Sequence, residues 1–126
     1  MNTKILTALI AGIALGGAAV QALQAQAKLP VYHVSEIDVT NIEGYTKEFV
    51  PLARASIKKY GGHLLAGSTN VVAIKGEPPK SRVAIALWDS LDQLKAWYGS
   101  PEYGEALKIG DKYAKTRTFA VEGLPR

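Results

Sequence analysis

The spacing of apolar positions changes period along this chain, and the changes mark its elements. Val31 to Val39 (VYHVSEIDV) is rich in β-branched residues and reads as a first strand. Tyr45, Phe49, Leu52, Ala53, Ser56 and Tyr60 then recur three and four apart, the stripe of a helix. Thr40-Asn41-Ile42-Glu43 opens that helix as a capping box, with Thr40 accepting from the backbone and Glu43 reaching back. Pro51 lies inside it and removes one backbone bond, which predicts a kink. Gly61-Gly62 ends it near Tyr60. His63 to Ala66 and Thr69 to Lys75 read as extended, with a bulge or bend at Gly67-Ser68. Gly76 to Ser81 (GEPPKS) reads as a turn, and Arg82 to Trp88 (RVAIALW) as a buried strand.

Ser90-Leu91-Asp92-Gln93 is a second capping box, and Leu91, Leu94, Trp97 and Tyr98 form the apolar stripe behind it. Gly99 stops this helix. Ser100 caps the next, with Pro101 at its first position, where a missing N–H costs nothing. That helix is expected to reach about Tyr113. Arg117 to Val121 is the last strand and Gly123-Leu124-Pro125 a tail. The order strand, helix, strand, strand, helix, strand, with short connections and a right-handed crossover, predicts an α+β fold. This is the ferredoxin-like split βαβ (β-α-β-β-α-β) with an antiparallel four-stranded sheet.

The strands are apolar on both sides. Val83, Ile85 and Leu87 alternate with Ala84, Ala86 and Trp88; Val71 and Ala73 with Val72 and Ile74; Phe119 and Val121 with Thr118 and Ala120. An antiparallel sheet with one wet face alternates apolar with polar instead. Helices on one face leave the other for a second copy of the chain, about 10 Å away sheet to sheet. A homodimer through the sheet face is the expectation. The small Ala84 and Ala86 assign their side to the helices.

Composition alters this picture at the N-terminus. Lys4 gives a positive n-region, Ile5 to Val20 is uncharged and mostly apolar, and Ala25-Gln26-Ala27 has a small-x-small cleavage pattern. Residues 1–27 are therefore expected to be an export signal, and 28–126 a periplasmic or secreted domain. The alternative, an uncleaved anchor, has an apolar run shorter than the roughly 20 residues of a spanning helix. Cleavage after Ala27 leaves 99 of the 126 residues and lowers the net charge from +4 to +3 by removing Lys4. The chain after cleavage carries no stable membrane anchor. Mild basicity without an aromatic-interleaved basic face argues against nucleic acid; Lys108, Lys112 and Lys115 suit the end of a helix. The absence of cysteine excludes disulfides, thiol catalysis and cysteine-held metals.

The chemistry-bearing residues form no catalytic motif. His33 and His63 fall on strands that a third strand separates, about 9–10 Å apart. No H-x-x-x-H or E-x-x-H spacing occurs, so no metal and no cofactor is expected. His33 could act alone as a general base, or could simply be packed. The serines include no G-x-S-x-G elbow, and the glycines match neither a phosphate loop nor a dinucleotide fingerprint. Glu36 and Asp38 share a strand face and could work as acid and base, or mark an exposed strand end.

At Trp97-Tyr98-Gly99-Ser100-Pro101-Glu102-Tyr103 a recognisable signature is reached. With Asp38-Val39-Thr40 and Tyr45, Tyr60-Gly61-Gly62, Leu65-Ala66, Trp88-Asp89-Ser90 and Val121-Glu122-Gly123, it makes Val31 to Gly123 resemble the domain-of-unknown-function family numbered 1330. That family lies within the dimeric α+β barrel superfamily. The resemblance implies a ferredoxin-like protomer, a dimer and no settled activity. Relatives in the superfamily include cofactor-free monooxygenases, haem-degrading enzymes and small isomerases, by fold-level analogy alone. Family members often carry an acidic residue where this chain has Leu87, and arginine where it has Gly67 and Gly110. Those departures put an inherited catalytic role in doubt.

Relatives with this fold place their pockets between sheet and helices. Trp88, Trp97, Tyr103, Tyr45 and His33 are accordingly the candidate ligand-binding residues, the aromatics offering an apolar wall with a polar handle. They could equally fill the core. Two functions stay open: an exported module that binds a small apolar or aromatic molecule without catalysis, or a cofactor-independent monooxygenase- or isomerase-like enzyme using His33 or Tyr103 for proton transfer.

Overall fold

The computed structural model describes residues 29–125, so the expected export signal lies outside the described residues. Strand β1 is Val31–Val39 and β3 is Arg82–Trp88, both with the bounds their β-branched runs predict. Strand β2 is His63–Ser68 and β4 is Ala114–Glu122. The sheet order is β2-β3-β1-β4, all antiparallel neighbours. This is the expected split βαβ arrangement, with β3 and β1 central. Among the described residues no helix is long and apolar enough to cross a membrane.

The first helix, α1, is continuous from Ile42–Gly44 through a π-helical turn, Tyr45–Phe49, to Val50–Lys59. Its cap is Asn41, whose side chain accepts from the Gly44 N–H at 3.0 Å. The capping box placed Thr40 there; Thr40 instead donates to the carbonyl of Tyr113, the residue before β4, at 2.9 Å. The effect of Pro51 is a widened turn. Without an N–H and with its ring against the preceding carbonyls, Pro51 favours the looser turn ahead of it, where the Val50 N–H bonds to the Tyr45 carbonyl. The C-terminus is a Schellman motif: Gly62 N–H reaches Ile57 and Gly61 N–H reaches Lys58. Gly61 has φ +84°, which glycine adopts without strain.

Helix α2, Leu91–Tyr98, is capped by Ser90, which accepts from Gln93 N–H, while Gln93 Oε1 accepts from Asp89 N–H. Helix α3, Pro101–Gly110, is capped by Ser100, which accepts from Tyr103 N–H. It ends three residues before the expected Tyr113, because residues 111–113 turn the chain into β4.

Two strand expectations are corrected. Thr69 to Lys75 is not a strand. Its hairpin partners would be Gly76 to Arg82, where Pro78 and Pro79 have no N–H to give a ladder. The bulge in β2 falls at Leu65, where the pairing shifts between Leu64 and Ala66, not at Gly67-Ser68.

All three helices lie on one face of the sheet. Val31, Ile37, Ala86 and Trp88 point toward them and are buried with Tyr45, Phe49, Ala53, Ile57, Leu94, Trp97, Tyr103 and Ala106. This confirms the Ala84/Ala86 side as the helix side. On the opposite face Val34 pairs with Ile85 and Phe119, and Tyr32 with Leu87 and Val121. These apolar rows are half-buried or exposed, Phe119 at 43% and Val121 at 53%, and the Arg117–Glu36 ion pair at 3.2 Å borders them.

Candidate functional site

Period-two alternation in β1 brings His33, Ser35 and Ile37 to the helix face, and in β3 it brings Arg82, Ala84 and Ala86. Over them α1 lays Tyr45, Phe49, Ala53 and Ile57, and the other helices lay Trp97, Tyr103 and Leu107. Tyr45 and Phe49, four residues apart in α1, share one face, with ring centroids 4.8 Å apart. Between these layers is a cavity of about 70 Å³, lined mostly by apolar side chains. Exposed Arg54, Asp111 and Thr116 stand at its rim.

The cavity has two ends. Ala86 pairs with His33 and Arg82 with Ile37. At roughly 3.3 Å per residue, His33 and Arg82 mark ends about 13 Å apart. At the inner end His33 is buried at 7% exposure and meets Trp97 edge-on, centroids 5.4 Å apart. Its Nε2 is hydrogen-bonded to the Thr118 hydroxyl. Thr118 also donates to the Val34 carbonyl at 3.1 Å. The Thr118 hydroxyl thus lies between the His33 ring nitrogen and the Val34 carbonyl. Burial lowers the His33 pKa below its usual value, which keeps the ring neutral. The Trp97 indole N–H donates to Ser56 Oγ at 2.9 Å, and Ser56 donates to the Ala53 carbonyl at 2.8 Å. Both polar atoms are thus satisfied within the protein. Tyr103 stacks against Trp97, centroids 4.0 Å apart, and burial pushes its phenol well above the ordinary range.

At the outer end the Arg82 guanidinium lies 5.9 Å from the centre of the Tyr45 ring. Burial raises the Tyr45 pKa, and Arg82 opposes the rise. Both phenols remain protonated at neutral pH and offer O–H donors. Gly67 leaves space for Arg82: a Cβ there would come within 3.0 Å of Nη2. At Gly110 a Cβ would stand 2.7 Å from the Phe49 ring, so Phe49 occupies the place where the family resemblance suggests an arginine.

Of the five residues singled out from sequence, His33, Tyr45, Trp97 and Tyr103 line the cavity. Trp88 does not. It is wholly buried one layer behind, stacked on Trp97 at 4.9 Å and against Gly62. Its indole N–H has no hydrogen-bond partner among the described residues. The other proton-transfer candidates separate: Glu36 lies on the opposite sheet face, ion-paired with Arg117, and Asp38 shares that face by alternation. His63 pairs with Leu87 on that face too, away from His33. Sequence reasoning passed over Arg82, Ser35 and Thr116. The signal for Arg82 was available, because period two puts it on the same side as Ala84, Ala86 and Trp88.

The family model described as "Domain of unknown function (DUF1330)" matches residues 30–124. No protein of curated function matches the chain. Several solved structures share its fold. One is a protein of unknown function from Rhodopseudomonas palustris, 16% identical, with a TM-score of 0.65 over 81% of this chain and 90% of that one. Another is SnoaB, a cofactor-independent oxygenase from Streptomyces nogalater, 12% identical, with a TM-score of 0.58 over 76% and 94%. A third is a dimeric protein of unknown function with a ferredoxin-like fold from Bacteroides fragilis, 18% identical, with a TM-score of 0.53 over 75% and 96%. At these identities the likeness establishes the fold alone, a ferredoxin-like α+β arrangement.

Proposed function

We propose, from the premise that this chain belongs to the DUF1330 family, that it is an exported, homodimeric protein that binds a small, largely apolar molecule between its sheet and helices. One observation carries the reading: an apolar cavity into which few polar groups converge, His33 at one end and Arg82 with Tyr45 at the other. Small-molecule sites are built this way, with apolar walls for affinity and a few polar groups for orientation. The dimer would form through the uncovered apolar face around Val34, Ile85 and Phe119, since such a patch with a polar border marks an association surface. The Bacteroides fragilis neighbour, described as dimeric, supports dimerisation. Export rests on Lys4, the run Ile5 to Val20 and Ala25-Gln26-Ala27.

A second reading is supported by His33. A buried imidazole whose pKa is lowered by burial, on the wall of a largely apolar cavity, suits a general base. SnoaB, of similar fold, is a cofactor-independent oxygenase. A thermal-shift screen of aromatic metabolites on the mature protein, followed by turnover assays on each hit, separates the two. Binding without turnover supports the module. Turnover lost in a folded His33→Gln variant supports the enzyme. Unchanged affinity for a hit in a folded Trp97→Ala variant would remove the cavity as the site.

A further inference from the structure

At the outer end of the cavity the Arg82 guanidinium and the Tyr45 hydroxyl both present hydrogen-bond donors. Arg82 is half-buried, projects from the helix face of β3 and forms no ion pair among the described residues. Beside it stands the Tyr45 phenol. A half-buried guanidinium facing a largely apolar cavity, with no ion-pair partner among the described residues, is open to an anionic ligand group. Asp111 also lines the rim, with Arg54, so cations outnumber the anion two to one there. The size of the cavity points the same way. About 70 Å³ is roughly half of a cavity of about 150 Å³ that holds benzene. A ligand with a ring therefore cannot be swallowed whole and leaves part of itself at the outer end.

We propose that Arg82, with the Tyr45 hydroxyl, is the anion-recognising pair of this site, and that the ligand is a small monocarboxylate whose apolar body enters toward Trp97. This rests on the small-molecule reading of the cavity. Arg82 presents a planar fork that matches a carboxylate, and Tyr45 adds a third donor. Gly67 keeps room for that fork, since a side chain there would crowd Nη2. His33 lies at the opposite end, about 13 Å along the sheet by strand spacing, and is free to meet the far end of the molecule.

The test uses benzoate, phenylacetate and 4-hydroxybenzoate, each beside its primary amide, titrated calorimetrically into the mature protein. The acids are expected to bind about tenfold or more tightly than the amides, the scale of a charge-assisted hydrogen bond. Arg82→Gln is expected to erase that preference while leaving amide affinity in place, and Arg82→Lys to restore part of it. Should Arg82→Gln fail to fold, the acid-to-amide ratio in the wild type and Arg82→Lys decides alone. Equal binding of acid and amide to the wild type, or a preference untouched by Arg82→Gln, overturns the anion assignment and leaves the cavity reading standing. Acid binding that survives filling the cavity by Ala53→Trp also overturns it. If neither acids nor amides bind, the cavity reading falls as well.

Discussion

His33 and Glu102 both cost stability as the pH falls, in separate pH windows. Burial lowers the His33 pKa from 6.5, so the unfolded chain takes up a proton more readily than the folded one. Stability is full above about pH 6.5 and falls as the pH drops toward the folded value. Glu102 is held at about 2, first by Lys59, then by a backbone N–H and the Tyr60 hydroxyl. Its contribution is present above about 4.5 and lost only as the pH falls toward 2. Thermal midpoints measured across pH 7.5 to about 3 are therefore expected to decline in two stages. His33→Gln should flatten the first and leave the second. A first stage that persists in His33→Gln would assign it to another group. His33 was legible from sequence as a lone histidine on a strand, but not its partner: Thr118 lies 85 residues away, and only the β1–β4 register joins them.

The elements carry their own signals unevenly. Ser100 shows this best, because capping depends on local sequence alone. It is buried at 6% exposure, accepts from the Tyr103 N–H at 3.2 Å and donates to the Trp97 carbonyl at 2.6 Å. Ser100→Ala is expected to cost about 1–2 kcal/mol, toward the upper end for a cap, in urea unfolding at neutral pH. A loss within error of zero would mean the α2–α3 junction is held by packing. Where ends are set locally, as at Ser90, Ser100-Pro101 and Gly61-Gly62, the pattern in the sequence suffices to place them. It fails where partners decide. Val71 to Ile74 has the composition of a strand, yet the chain that would pair with it contains two prolines, and Ile74 is left 93% exposed. The π turn in α1 was equally hidden. Pro51 announces a disturbance of the helical ladder, but not that it takes the form of a π turn over Tyr45–Phe49.

At the scale of the molecule, one face of the sheet is covered by helices and the other is covered by nothing among the described residues. Ile85 sits at the middle of the bare face, beside Val34 and Ala66. Light scattering at micromolar concentration is expected to give twice the chain mass, and Ile85→Lys to give a folded monomer or an unfolded chain, since a buried unpaired charge is costly. A wild-type monomer would refute the dimer. The alternation of apolar residues on both faces made this surface visible from sequence. Which face the helices cover followed from the small Ala84 and Ala86, and the cavity followed from neither, since it depends on how three helices meet over β1 and β3.

The chain has two tryptophans, and both are walled off from water, at 0% and 1% exposure, with rings 4.9 Å apart and 32° from parallel. Every photon of indole emission therefore originates in one stacked pair in the core. The folded protein is expected to emit at the short-wavelength end of the tryptophan range, to resist quenching by acrylamide, and to show an exciton couplet in circular dichroism. All three signatures vanish together on unfolding. Emission like that of free indole, readily quenched in the native state, would contradict the packing of Trp88 on Trp97. The same coupling makes colour a monitor of the wall that any occupant of the cavity would touch, because only Trp97 faces it.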